Sequence, residues 1–281
     1  MTTAPRAPGE APVPPVSPRG AALQKVRRLA REFGPAYAAL AVGREFAGLL
    51  PRRIEEALLD IEGRRGMLGP AHRRWTEHSV TANREIWSTW NWAEQGEEWS
   101  ASPAWKASLI GSVLRPTMSD ARTILEIGPG AGRWTEALHD TAAELILVDI
   151  TDTTLELCRA RLGDPPNVTY VRSDGTTLRE VPAASVDGIW SFDAFVHIAP
   201  LDIAGYLGEM ARVLRPGGVA VIHHTGRREP RGWRSPMTPA LFANLARASG
   251  LVVDRQFDAW ADGRFSVGLH GDAITQLRRP D

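Results

Sequence analysis

The chain has 281 residues, 43% of them hydrophobic, and its 33 basic side chains balance 33 acidic ones. That is enough chain and apolar surface for one sizeable α/β domain with an extension, while a formal charge of zero provides no whole-chain attraction to nucleic acid or to a membrane. The single cysteine, Cys158, cannot form an intramolecular disulfide, no apolar run reaches the length of a membrane span, and the N-terminus lacks a secretion signal's order, so a cytoplasmic protein is expected.

Residues 1–18 contain six prolines and little to bury, which predicts an extended tail. Residues 19–104 read as a helical, tryptophan-rich extension and 105–281 as the main domain. Arginine pairs such as Arg27-Arg28, Arg52-Arg53 and Arg73-Arg74 read as solvated helix faces rather than a polyanion site. Six of the ten tryptophans fall in one stretch: Trp75, Trp87, Trp90, Trp92, Trp99 and Trp105. Either they pack the extension onto the domain, or they build a stacking surface for a sugar, an aromatic ring or a cation. On the second reading Trp87, Trp90 and Trp92 are substrate contacts.

An apolar strand, Thr123 to Ile127, then runs into Gly128-Pro129-Gly130-Ala131-Gly132. Glycines at a strand-to-helix turn let a ligand approach the backbone and tolerate positive φ. The spacing is Glu126-x-Gly128-x-Gly130-x-Gly132, not the Gly-x-Gly-x-x-Gly of a dinucleotide loop. A second strand, Leu145 to Val148, ends at Asp149-Ile150; a third, Val168 to Val171, ends at Ser173-Asp174-Gly175. A fourth, Val186 to Ser191, opens onto Phe192-Asp193-Ala194-Phe195-Val196-His197. Apolar residues at helical spacing from Leu201 to Leu214 are stopped by Arg215-Pro216-Gly217-Gly218. Val219 to Ile222 forms a fifth strand ending in His223-His224. A helix near Pro239 to Ser249 follows, and Leu251 to Trp260 with Phe265 to His270 read as a closing antiparallel pair.

These motifs, from about residue 105 to 272, resemble the class I S-adenosylmethionine-dependent methyltransferases of small-molecule, natural-product type. The resemblance implies a doubly wound, seven-stranded, mostly parallel sheet with an N-terminal helical extension. It also implies S-adenosylmethionine as cofactor, S-adenosylhomocysteine as product, and N-terminal helices that lie over the cofactor cleft or build a homodimer contact. On the family's pattern Glu126, Gly128, Gly130 and Gly132 form the cofactor loop, Asp149 takes the ribose, Ile150 packs on the adenine, and Asp174 accepts from its exocyclic amine. Gly175 and Ser191 complete the candidate cofactor set.

Methyl transfer is an in-line displacement, so a base is expected where the fourth and fifth strands end. His197 and His224 are the candidates, with Asp193 to orient a histidine or hold substrate; strand alternation keeps His223 and His224 from sharing the role. Phe195, Trp233 and Arg234 are further candidate pocket residues. Asp193 is the one acid in the right neighbourhood, so no metal is expected. The acceptor is expected to be a hydroxyl or amine of a small specialised, antibiotic-type metabolite or its sugar. Protein or RNA methylation and a binding-only protein are the alternatives.

Overall fold

The computed structural model describes residues 78–227, 234–268 and 271–281. The described residues from 78 onward form one compact unit. The tryptophan-rich segment, expected as an N-terminal extension or cap ending at residue 104, belongs to this unit from residue 78 onward; Trp75, Trp233 and the expected N-terminal tail and helices lie outside the described residues.

Helix α1 (Val80–Thr89) starts at Ser79, whose side chain accepts from the Ala82 N–H. After a short 3-10 turn (Glu97–Trp99), α2 (Pro103–Leu109) is opened by Ser102 and Pro103, a capping pair that satisfies one orphan donor and presets φ. A π turn over Ile110–Leu114 leads into α3 (Arg115–Met118). Pro116 has no N–H for the carbonyl four residues back, and the chain widens there instead of breaking.

The strands are β1 (Thr123–Ile127), β2 (Glu144–Asp149), β3 (Val168–Arg172), β4 (Val186–Ser191), β5 (Leu214–Thr225), β6 (Val252–Phe257), β7 (Ala259–Trp260), β8 (Phe265–Ser266) and β9 (Asp272–Arg278). One seven-stranded sheet has the order β3-β2-β1-β4-β5-β9-β6. The first five strands are parallel, and β9 inserts antiparallel between β5 and β6. The crossovers carry α4 (Thr135–His139), α5 (Asp152–Leu162), α6 (Pro200–Val213) and α7 (Pro239–Ala248). Strand order reverses between β1 and β4, and ligands of open α/β sheets bind at the strands' carboxyl ends there.

Two details differ from the sequence expectation. Arg215-Pro216-Gly217-Gly218 belongs to β5 as an irregular stretch: Leu214 pairs with Val186, and the register shifts before Val219 meets Gly188. The closing pair is β6 with β9, whereas Phe265–Ser266 meets only β7 in a small separate hairpin. The sheet has a core on each face. Leu125, Ile127, Ala220 and Ile222 join α6 and α7 residues on one side. Ile124, Trp190, Val221 and Ile274 join Leu109, Trp134 and Cys158 on the other. That phase of alternation sends His223 to the Val221 face and His224 to the Ile222 face.

Candidate active site

The loop after β1 is shaped by left-handed glycines that no other residue could replace cheaply. Gly128 has φ +69°, and a Cβ there would lie 2.5 Å from the Ala194 Cβ; Gly130 has φ +57° and lies under Trp92, whose ring would be 3.2 Å from such a carbon. Gly132 (φ +89°) serves packing instead: it faces the Arg161 and Cys158 side chains and does not line the cavity. The Cys158 thiol, pushed up by burial, donates to the Gly130 carbonyl at 3.2 Å, so α5 props the loop from below. Glu126 is also behind the loop, 1% exposed, accepting 2.7 Å from Thr135 Oγ1. Burial pushes its carboxyl up to about 8 against that donor and the Arg133 charge.

An open cavity of about 910 Å³ lies over this loop. Asp149 and Ile150 from the end of β2 line it, with Gly128, Gly130 and Gly175. Thr151 fixes Asp149 through Oδ1, donating from N at 2.9 Å and from Oγ1 at 3.2 Å. Burial raises this carboxyl above the ordinary aspartate range even with those donors. Asp174 corrects the sequence reading: it lies outside the cavity lining. Its Oδ1 accepts from Thr176 N and Thr177 N, both at 2.8 Å, and Oδ2 from Thr177 Oγ1 at 2.9 Å. The carboxylate is spent on its own turn. Its neighbour Gly175 faces Val80 of α1, where a Cβ would come within 2.5 Å.

The opposite wall is aromatic. Trp87, Trp92 and Trp99 line the cavity together with Asn83, Tyr206 and His197. Trp99 meets both Trp87 and Trp92 edge-on at 6.0 and 5.7 Å, the arrangement that ring quadrupoles favour. His197 lies 5.1 Å from Trp87, and its carbonyl accepts from Asn83 Nδ2 at 2.9 Å. Glu97 anchors the segment, with Lys106 Nζ at 2.6 Å and Arg161 Nη2 at 3.3 Å. Trp90 sits apart from the cavity, 37% exposed, with its indole N–H toward Glu98.

Asp193 and Arg133 meet on the cavity wall as an ion pair. Burial alone would raise the Asp193 carboxyl, but Arg133 and His223 outweigh it and hold it well below the usual carboxylate range. Such a group is a strong hydrogen-bond acceptor and a weak base.

Four further candidates are placed elsewhere. His224 is buried on the other face, stacked 4.0 Å from Phe242, with Nδ1 2.8 Å from Thr225 O and Nε2 2.7 Å from Thr275 Oγ1. Burial depresses it to about 4, so it is a packing residue. Phe195 belongs to the core against Tyr206. Ser191 ties β4 to β1, donating to Ile127 O at 2.7 Å. Arg234 binds Asp272 and does not line the cavity. Conversely, the candidate site residues read from the sequence did not include Arg133 or Trp99. Arg133 directly follows the third glycine, and Trp99 was visible within the tryptophan run.

Residues 125–222 match the methyltransferase domain family. A probable S-adenosylmethionine-dependent methyltransferase of Mycolicibacterium smegmatis is 34% identical over 106 residues, 38% of this chain and 39% of that one. The chain carries a class I S-adenosylmethionine-dependent methyltransferase domain. A 2-methyl-6-phytyl-1,4-hydroquinone methyltransferase of Synechocystis is 29% identical over 157 residues, 48% of each chain. The chain thus spans less than half the length of these curated relatives. Among solved structures, the N-methyltransferase NodS of Bradyrhizobium japonicum with S-adenosylhomocysteine shares the methyltransferase fold, at TM-score 0.52 and 17% identity over 66% of this chain and 93% of that one. The cavity of this methyltransferase domain fits its family's cofactor chemically. Its floor is glycine backbone, a carboxylate ends β2, and Ile150 and Val80 offer apolar faces beside Gly175.

Proposed function

We propose that the protein transfers a methyl group from S-adenosylmethionine to a hydroxyl or amine of a small molecule of the specialised-metabolite kind. One observation carries this reading: a single cavity joins the glycine loop and Asp149 to His197, Asp193 and a wall of tryptophans. The cofactor supplies an electrophilic methyl on a sulfonium. On the protein side, Gly128 and Gly130 backbone, Asp149, Ile150, Val80 and Gly175 would hold it. Trp87, Trp92 and Trp99 exclude water and offer faces to a ring or a cation. His197 is the cavity residue assigned to take a proton from a hydroxyl acceptor, histidine being the side chain most often used as a general base; a neutral amine would need it less. The Synechocystis relative is named for a hydroquinone substrate and NodS is an N-methyltransferase, which supports ring-bearing acceptors and leaves oxygen and nitrogen both open. No described helix is long and apolar enough to cross a membrane.

Calorimetry with S-adenosylmethionine and S-adenosylhomocysteine tests the first step. Micromolar-range binding by the intact protein, lost in Asp149→Ala, is expected; no binding by folded protein would overturn the reading. Screening phenols, sugars and amines with wild type and His197→Ala then tests the second. Hydroxyl transfer lost in the variant supports His197 as base, near-normal rates remove that role, and cofactor binding with no product from any acceptor class would indicate a binding-only protein.

A further inference from the structure

From the cavity wall inward, five charged or chargeable side chains stand in alternating order. Arg133 pairs with Asp193. Asp193 Oδ1 lies 3.1 Å from His223 Nδ1, and His223 Nε2 lies 3.3 Å from Asp272 Oδ2. Arg234 closes the row, with Nη2 2.7 Å from Asp272 Oδ2 and Nε 3.0 Å from both carboxylate oxygens. Five separate parts of the chain contribute: the β1–α4 loop, the end of β4, β5, the start of β9 and the segment before α7. The interior of the row is dry, with His223 2% and Asp272 1% exposed at their side chains. Charges in such a place demand partners, and removing one strands the others.

The backbone of Asp193 is the second observation. It has φ +63°, a left-handed conformation that aspartate tolerates at some cost and that persists only where its surroundings impose it. Its backbone N–H points at His223 Nδ1, 3.1 Å away. The imidazole ring is itself clamped, stacked 4.2 Å from Phe192. Thus one ring nitrogen, Nδ1, stands 3.1 Å from both the main-chain nitrogen and the carboxylate of Asp193 and can bond one of them at a time.

We propose that His223 is a positioning residue carried as a charged ring, which, backed by Asp272 and Arg234, fixes Asp193 on the cavity wall as a permanently ionised acceptor for the N–H or O–H of the methyl acceptor. Only that last clause rests on the methyltransferase reading. The groups facing His223 are Asp193 from the β4 end and Asp272 from β9, with Arg133 and Arg234 beyond them and His224 next to it on β5. Burial opposes the charge on His223, yet the two adjacent carboxylates outweigh it and raise its pKa. In the charged state Nδ1–H donates to Asp193 Oδ1; in the neutral Nε2–H state Nδ1 accepts from the Asp193 N–H. Protonation therefore decides whether the side chain or the main chain of Asp193 is held.

The two states are separable by NMR of the full-length protein labelled with 15N in histidine, titrated from pH 5 to 9. The expected result is a His223 ring protonated on both nitrogens at pH 7, with a midpoint at least one pH unit lower in Asp272→Asn. His223→Phe keeps a ring to stack on Phe192 and removes both N–H groups; there the Asp193 carboxyl, followed by its 13C shift, should titrate higher than in wild type. A wild-type ring that is neutral at pH 7, or an Asp272→Asn midpoint equal to that of wild type, overturns the proposal. Should either variant not fold, the wild-type ring decides alone. Calorimetry of wild type with S-adenosylhomocysteine separates the two readings: failure to bind alongside a charged His223 would sink the cofactor reading and leave the ladder standing.

Discussion

Glu126 is buried at 1% exposure, with Thr135 donating to one oxygen and its carboxyl pushed up to about 8. An unfolded glutamate titrates near ~4.3. Between those values the folded chain holds a proton that the unfolded chain has lost, so stability falls as pH rises and levels off above about 8. The full effect is at most on the order of 5 kcal/mol. Glu126→Gln removes it, and urea unfolding from pH 6 to 9 should show a declining midpoint in wild type and a flatter one in the variant. Gly128 is constrained differently, by φ +69° and by the Ala194 Cβ at 2.5 Å from any added carbon. Gly128→Ala combines backbone strain with overpacking and should cost roughly 2–4 kcal/mol, read as a lowered urea midpoint. The cost should fall on Ala194, which is next to Asp193.

At the scale of elements, the segment from α1 to the Glu97–Trp99 turn is the lid of the cavity, held by ring contacts and by Glu97. Trp92 reaches the glycine loop directly: its ring covers Gly130 and its N–H is fixed by Trp87 O at 3.1 Å. Trp92→Ala should weaken S-adenosylhomocysteine binding about tenfold, or ~1.4 kcal/mol, measured by calorimetry; an unchanged affinity would show that the lid belongs to the acceptor alone. The strands β1 to β5 were legible because apolar runs ending in Gly, Asp or His are what a parallel, doubly covered strand requires. That same double burial hid the histidines: His223 and His224 are both interior, so alternation separates their faces without saying which one looks toward the site. Asp174 misled because a turn aspartate and a ligand-binding aspartate have the same local sequence. The last strand was displaced because Asp272–Arg278 mixes polar and apolar residues without a clear period, yet lies buried between two neighbours, whereas Phe265–Ser266 pairs only in a small hairpin.

For the whole molecule, balanced charge and one compact unit among the described residues set what ligand binding must do to stability. A ligand that binds the folded chain alone stabilises it by ~2.7 kcal/mol at a hundredfold excess over Kd. In a unit of this size each kcal/mol raises Tm by roughly 2–4 °C. S-adenosylhomocysteine at that excess should therefore raise the melting temperature by about 5–11 °C. The shift should vanish in Asp149→Ala at the same concentration, because Asp149 lies on the cavity with its orientation set by Thr151. Salt offers a control on the same curve: with formal charge zero the shift should vary little with ionic strength, whereas a polyanion ligand would be released steeply. A salt-sensitive shift, or one that survives in Asp149→Ala, would place the ligand outside the cavity that joins the glycine loop to the tryptophan wall.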